Sequence, residues 1–209
     1  MCGRILLEGN LALPPEAAGL VLFAHGSGSS RHSPRNRHVA RVLQERGLAT
    51  LLFDLLSADE ERYDLRTMRL RFDIDLLAER LTSALGWAQE NPDLKNMGMG
   101  CFGASTGAGA ALMAAAEKPE WVQAVVSRGG RPDLAGSALS RVRCPTLLIV
   151  GGDDQPVIEL NQQAMEQMTV TKKMEIVPRA THLFEEPGAL DIVAALAANW
   201  FQSHLTRAR

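Results

Sequence analysis

Six short stretches of the chain are apolar at almost every position, and segments with helical spacing of apolar residues lie between them. These stretches are rich in Val, Leu and Ile, and they span residues 19–25, 49–55, 97–102, 122–127, 146–151 and 174–178. Continuous apolarity without alternation is typical of strands in a parallel sheet that is covered on both faces. A further segment, ILLEGNLALP, predicts an additional antiparallel strand at the edge of that sheet.

Helices are predicted between the strands. Ser33 followed by Pro34 is typical of an N-cap with proline at the first helical position, and Gly47 is typical of a helix stop. Across 71–90, one face is apolar and carries Phe72, Leu76, Leu77, Leu81, Ala84, Leu85 and Ala88. Three further segments fit helices, at residues 105–117, 156–168 and 189–205.

The alternation of strands and helices predicts an α/β fold in which a doubly wound, mostly parallel sheet of about six or seven strands is flanked by helices. We expect one domain over residues 1–209, because the sequence has no repeat, no linker and no insertion that could form a separate lid domain. The charged stretch at 57–71 is predicted to be a surface connection and nothing more.

Composition narrows the class of protein. The chain is 46% apolar and 22% charged with a net charge of −2, and its Lys and Arg residues are spread along it, so we expect no nucleic-acid partner and no membrane partner. Neither a signal peptide nor an apolar run of transmembrane length is apparent. Cys2, Cys101 and Cys144 form no CxxC pair, which fits reduced thiols and a cytoplasmic location. Cys101 and Cys144 are expected to be small core residues.

The turn GASTG, residues 103–107, follows one predicted strand and precedes an alanine-rich helix. It matches G-x-S-x-G, in which a sharp passage from strand to helix holds a serine, here Ser105, in a strained conformation. Two alternatives are a dinucleotide-binding loop and a turn that only packs a helix on a strand. A dinucleotide loop should follow the first strand of the sheet, whereas two strand–helix units precede this one.

A serine nucleophile of this kind needs an acid after a later strand and then a histidine, in that order along the chain. GGDDQPV supplies Asp153 and Asp154 directly after a predicted strand. The spacing favours Asp154 as the acid, with Asp153 as the alternative. His182 lies in a predicted loop after the last strand, while His204 falls at the end of the last helix, so His182 is the expected base.

The loop HGSG, residues 25–28, follows the first strand of the parallel series and is expected to form part of an oxyanion hole. The two donors would be the backbone N–H groups of Ser27 and Thr106. Gly26 and Gly28 would let the main chain approach the substrate closely. His25 is expected to brace this loop rather than to take part in the chemistry.

Together, HGSG, GASTG, GGDD and THLFEEPG resemble the α/β-hydrolase superfamily, and specifically its small lidless branch akin to dienelactone hydrolases. The resemblance covers about residues 18–205. It implies the α/β-hydrolase fold, a catalytic triad and no cofactor or metal. Dienelactone hydrolases use cysteine where this chain has Ser105. Domains of this kind are also found attached to phosphoribosyltransferase-like domains, so such a partner and a homo-oligomer both stay open.

The resulting hypothesis is a serine hydrolase that cleaves small carboxylic esters or lactones through an acyl-enzyme. Four arginines follow strand ends on the same side of the predicted sheet, namely Arg31, Arg35, Arg128 and Arg131. Arg128 is the favoured candidate for binding an anionic group of the substrate. The alternatives are a non-catalytic binding module with the same fold and, more remotely, a nucleotide-binding oxidoreductase.

Overall fold

The sheet of this protein has seven strands, and the computed structural model describes it within residues 5–206. The strands are β1 (Gly9–Ala12), β2 (Gly19–Ala24), β3 (Ala49–Phe53), β4 (Gly98–Ala104), β5 (Val122–Arg128), β6 (Thr146–Gly151) and β7 (Lys172–Val177). Their order across the sheet is β1-β3-β2-β4-β5-β6-β7. The pairing of β1 with β3 is antiparallel and all other pairings are parallel, which confirms the predicted sheet and its antiparallel edge.

Six α-helices flank the sheet within residues 5–206. They are α1 (Pro34–Glu45), α2 (Ala58–Thr67), α3 (Ile74–Glu90), α4 (Thr106–Glu117), α5 (Gln155–Gln167) and α6 (Ala189–His204). Two 3-10 helices, Leu70–Phe72 and Pro132–Arg141, complete the set. The predicted start and stop of α1 are confirmed, since the Ser33 hydroxyl accepts a hydrogen bond from the Asn36 N–H and Gly47 adopts a φ of +75°.

The segment at 57–71 differs from the prediction of a bare connection, because it contains α2. Ser57 and Glu60 form a reciprocal capping box, in which each side chain accepts a hydrogen bond from the other residue's backbone N–H. Asp64 is buried and forms an ion pair with Arg71, which fixes the end of the segment. The capping box and this ion pair explain why such a charged sequence is helical.

The prediction that Phe72 lies on the buried face of a helix was wrong. The α-helix begins only at Ile74, where Asp73 caps it by accepting a hydrogen bond from the Leu76 N–H. Phe72 ends the preceding 3-10 helix and is 56% exposed.

Two hydrophobic cores lie on opposite faces of the sheet, as the doubly wound arrangement requires. Alternate residues of β2 point to different cores: Leu20 and Leu22 pack with α3 and α4, whereas Val21 and Phe23 pack with α1 and α6. Because the parallel strands share one direction, their carboxyl ends lie together at one end of the sheet. The loops that carry the candidate site lie at this end.

Both described cysteines, Cys101 and Cys144, are free and buried in the core, as expected, while Cys2 lies outside the described residues. Burial raises the pKa of the Cys101 thiol well above its ordinary range and raises the pKa of Cys144 to about 12. Within residues 5–206, every helix is too short or too polar to cross a lipid bilayer.

Candidate active site

Ser105 lies at the abrupt junction between β4 and α4. Its backbone has φ 50° and ψ −121°, a conformation that residues with a side chain rarely adopt. The Ser105 N–H donates a hydrogen bond to the Arg128 carbonyl at 3.2 Å, and the Ser105 carbonyl accepts one from the Arg131 N–H at 3.0 Å. Hydrogen bonds from the neighbouring strand end therefore hold the strained residue in place.

The two glycines of the turn are required because backbone atoms of neighbouring residues lie very close to them. A Cβ atom built on Gly107 would lie 2.2 Å from the carbonyl oxygen of Ala24, and one built on Gly103 would lie 2.5 Å from the Cα of Ala108. Neither contact can be relieved by moving a flexible side chain, because both involve backbone atoms. The two glycines of the G-x-S-x-G pattern are thus explained by the lack of space for a side chain at these positions.

His182 lies between Ser105 and Asp154. Its Nε2 is 3.3 Å from the Ser105 Oγ, and its Nδ1 is 2.7 Å from the Asp154 Oδ2. Because a carboxylate only accepts hydrogen bonds, the proton lies on Nδ1 and the Nε2 lone pair faces the serine hydroxyl. The loops after β4, β6 and β7 thus bring the three residues together, and the carboxylate in contact with His182 is that of Asp154, not of Asp153.

The HGSG loop lies directly against the turn. A Cβ atom built on Gly26 would lie 3.1 Å from the Cβ of Ser105, and Gly28 has a φ of +68°. The Ser27 N–H donates to the Thr106 Oγ1 at 2.9 Å, across 79 positions of sequence. The Ser27 N–H thus has an acceptor already, and an oxyanion bound there would take the place of the Thr106 hydroxyl. The Thr106 N–H lies in the first turn of α4, where backbone N–H groups lack a partner within the helix.

His25 connects this loop to the end of β3. Its Nε2 accepts a hydrogen bond from the Leu55 N–H at 3.1 Å, and its Nδ1 donates to the Gly26 carbonyl at 3.0 Å. The residue is 9% exposed, and burial lowers the pKa of its imidazole. Both ring nitrogens therefore form hydrogen bonds with the backbone, as expected for a residue that holds the loop in place.

Arg128 is the last residue of β5, not a loop residue, and it is 6% exposed. Its Nη2 donates to the Asn36 Oδ1 at 3.0 Å. The three other arginines considered from the sequence each have a carboxylate partner: Arg31 with Asp54 and Glu8, Arg35 with Glu185, and Arg131 with Asp133. Asn36 is a site residue that sequence reasoning missed, since it resembles any polar residue of a first helical turn.

A cavity of about 60 Å³ lies beside the HGSG loop. The apolar part of its wall includes Leu55, Leu65 and Leu77, and the polar part includes Glu61 and Arg71. Most of these residues belong to the segment predicted as a bare connection. The Ser57-x-x-Glu60 spacing is the sequence signal that could have revealed helix α2 and, with it, this wall.

Comparison with known families and structures identifies the family and the fold. Residues 7–206 match the model of the dienelactone hydrolase family. The crystal structure of a dienelactone hydrolase from Anabaena variabilis ATCC 29413 is 64% identical, covers 98% of this chain and 95% of its own, and superposes with a TM-score of 0.96. Est1E from Butyrivibrio proteoclasticus superposes with a TM-score of 0.79 over 97% of this chain and 96% of its own, and at 17% identity it shares the fold alone.

A longer protein is also similar to this chain. The Mycobacterium tuberculosis protein named "Putative phosphoribosyl transferase Rv0571c" is 56% identical over 205 residues, which are 98% of this chain and 45% of that protein. A counterpart from strain CDC 1551 matches to the same extent. The chain therefore spans about half the length of the curated relatives that it matches.

Proposed function

We propose that this chain, which belongs to the dienelactone hydrolase family, is a hydrolase that cleaves small carboxylic esters or lactones through an acyl-enzyme on Ser105. The observation that supports this most is the row of contacts from Asp154 through His182 to the Ser105 hydroxyl. A serine in this position replaces the cysteine that dienelactone hydrolases use. Since the serine hydroxyl is not ionised at neutral pH, its reactivity depends on the base beside it.

In the proposed acylation, His182 Nε2 accepts the proton of the Ser105 hydroxyl while Oγ bonds to the carbonyl carbon of the ester. The carbonyl oxygen becomes an oxyanion, which accepts hydrogen bonds from the backbone N–H groups of Ser27 and Thr106. The tetrahedral intermediate collapses, the bond to the leaving oxygen breaks, and His182 donates its proton to that oxygen. The Asp154 carboxylate holds the imidazole in the required tautomer throughout.

Deacylation repeats these steps with water as the nucleophile. His182 takes a proton from the water, the hydroxide adds to the acyl carbon, and the Ser105 oxygen leaves with the proton that His182 returns. The 3.3 Å separation of His182 Nε2 and Ser105 Oγ is long for a hydrogen bond and would have to shorten for the proton to be transferred.

The cavity beside the HGSG loop favours small substrates. It measures about 60 Å³ and is lined by Gly26, which lies directly against Ser105. A cavity of this size suits a short acyl group. A long acyl chain would have to lie along the surface instead.

The alternative functions receive less support. A non-catalytic binding module would be favoured by a distorted triad, but His182 contacts both of its partners. The turn at 103–107 follows the fourth strand, not the first, which disfavours the nucleotide-binding oxidoreductase. We further propose that the transferase activity named for the longer relatives belongs to the part of those proteins that this chain does not match.

Replacement of Ser105 by alanine tests the proposal. We expect hydrolysis of a p-nitrophenyl ester and of a simple lactone to fall by at least about 10⁴-fold, because Ser105 supplies the hydroxyl that contacts His182 among residues 5–206. Ser140→Ala is a matched control, since Ser140 is exposed and lies in the 3-10 helix Pro132–Arg141. Circular dichroism and thermal unfolding establish that the variants fold. A folded Ser105→Ala protein with an undiminished rate would exclude Ser105 as the nucleophile.

A further inference from the structure

Arg128 is a buried cation without a carboxylate partner. Within residues 5–206, no aspartate or glutamate forms an ion pair with its guanidinium group, and the amide oxygen of Asn36 accepts from one nitrogen only. The Nε atom is fully buried and has no hydrogen-bond acceptor. Arginine carries five N–H groups in a fixed planar arrangement, so most of its donor capacity here is unused.

Leaving a cation in this state is costly, because burial removes its hydration. Burial, and to a smaller extent the charge of Arg35, lowers the pKa of the Arg128 guanidinium to about 10. The group nevertheless keeps its proton at neutral pH. A buried charge persists in a stable protein when a partner compensates it, and the described residues supply only a neutral amide.

A second arginine faces the same region. The Nε of Arg35 is also buried without an acceptor, while its Nη1 reaches Glu185 at 3.4 Å near the surface. Arg35 and Asn36 both belong to the first turn of α1, which contains no acidic residue. The start of a helix carries partial positive charge from its backbone N–H groups. Two guanidinium groups therefore lie near each other at the start of this helix, and among the described residues Glu185 is the carboxylate that pairs with one of them.

This region adjoins the candidate nucleophile. The Arg128 carbonyl accepts the hydrogen bond from the Ser105 N–H, and Arg128 pairs with Ala104 across the two strands. Glu185, the partner of Arg35, lies three residues beyond His182 in the loop after β7. The Arg128 backbone thus contacts Ser105, while its side chain extends to Asn36.

We propose that the first turn of α1, Arg35 and Arg128 form a binding site for a small oxyanion, a carboxylate or a phosphate, carried by the substrate. Guanidinium groups bind both kinds of oxyanion through paired, charge-assisted hydrogen bonds. The anion would satisfy the unused N–H groups and neutralise the two cations. Anion binding itself does not depend on the proposed hydrolase function, whereas its assignment to the substrate does.

Thermal unfolding in a titration of inorganic phosphate, with ionic strength held constant by chloride, tests the anion site. We expect the Tm of the unmodified chain to rise by about 3–6 °C at a phosphate concentration tenfold above its dissociation constant. Arg128→Met and Arg35→Gln should lose this rise. Arg37→Gln should retain it, because Arg37 lies on the same helix, carries the same charge and is exposed.

Arg35→Gln keeps the test decisive if Arg128→Met does not fold, since the Arg35 side chain is 34% exposed and its loss leaves no cavity in the core. Absence of any phosphate-dependent rise in the unmodified chain would overturn the proposal. An equal loss of the rise in Arg37→Gln would do the same, because it would indicate a general charge effect.

Enzyme kinetics distinguish an anionic group of the substrate from a free anion at this site. With a matched pair of esters, one neutral and one with a free carboxylate, Arg35→Gln should lower kcat/KM for the anionic ester by about 10–100-fold more than for the neutral one. Phosphate should compete with the anionic ester. A phosphate-dependent Tm rise without competition would assign the site to a free anion and overturn its assignment to the substrate. Failure of the hydrolase function would instead abolish turnover of both esters and leave the Tm rise intact.

Discussion

Two loops at the same edge of the sheet each carry a histidine, and the two histidines differ in what their ring nitrogens contact. His25, after β2, is 9% exposed and is bonded to backbone groups through both nitrogens. His182, after β7, has a side chain that is 37% exposed and contacts the side chains of Ser105 and Asp154. Backbone partners cannot exchange protons with the ring, whereas a hydroxyl and a carboxylate can support a proton transfer. The same residue type therefore holds one loop in place and, as we propose, serves as a base in the other.

The largest effect that separates the two loops is expected from His182→Gln. We predict a fall in kcat/KM of about 10⁴–10⁶-fold, because in the part of the chain that the structure describes His182 is the base in contact with the Ser105 hydroxyl. His32→Gln, at an exposed position, is the matched control and should stay within a few fold of the unmodified chain. Steady-state hydrolysis of a short-chain ester measures both. Comparable activity of the two variants would show that His182 is not the base.

Asp154→Asn should have the next largest effect, about 10⁴-fold in kcat, because an amide can present its N–H to the ring and favour the wrong tautomer. Asp153→Asn changes the neighbouring carboxylate in the same way. Its side chain does not contact His182, so the rate should stay within a few fold. If the two variants had the opposite ranking, Asp153 would be the acid and the loop after β6 would have to rearrange.

Thr106→Val tests the contact between the HGSG loop and the turn at Ser105. It should lower kcat by about 10–100-fold with little change in KM, because the Thr106 hydroxyl orients the Ser27 N–H until the oxyanion replaces it as the acceptor. Thr106→Ser restores the hydroxyl and should recover most of the rate. A purely structural role would lower stability in both variants and would not separate kcat from KM. Full kcat in a folded Thr106→Val protein would contradict this positioning role.

The smallest effect concerns His25 and the pH dependence of stability. Burial lowers its pKa in the folded chain, while the hydrogen bond to the Gly26 carbonyl and, less strongly, the charges of Asp54 and Glu61 oppose this shift. Above the ordinary value of 6.5 the ring is neutral in both states, so its contribution to stability is complete. As the pH falls below 6.5, the unfolded chain binds a proton that the folded chain does not, and the free energy of unfolding decreases.

One proton limits this decrease to about 1.4 kcal/mol per pH unit. Urea unfolding of the unmodified chain and of His25→Gln, at several pH values between 7 and 5, measures it. The variant should be less stable at pH 7, because the Leu55 N–H loses its acceptor, and should depend less on pH below 6.5. Identical pH profiles would show that His25 titrates normally.

The parts of the molecule that could be predicted are those whose sequence pattern has one physical explanation. Continuous apolar runs identified the parallel strands, because only a sheet covered on both faces buries every position. The two glycines around Ser105 reflect backbone contacts that exclude any side chain. Helix α2 was not predicted, since its stability depends on a capping box and on the ion pair between Asp64 and Arg71. Nothing in the sequence indicated that Arg128 is buried beside Asn36, because that contact joins positions far apart in the chain.

Labelling with a fluorophosphonate tests the central claim most directly, because the reagent modifies a serine only when a neighbouring base activates it. Digestion and mass spectrometry should find one adduct, on the peptide that contains Ser105. The adduct should be absent from Ser105→Ala and should form at least about 10³-fold more slowly in His182→Gln. An unlabelled wild-type chain, or an adduct elsewhere that persists in Ser105→Ala, would contradict a serine hydrolase at this site.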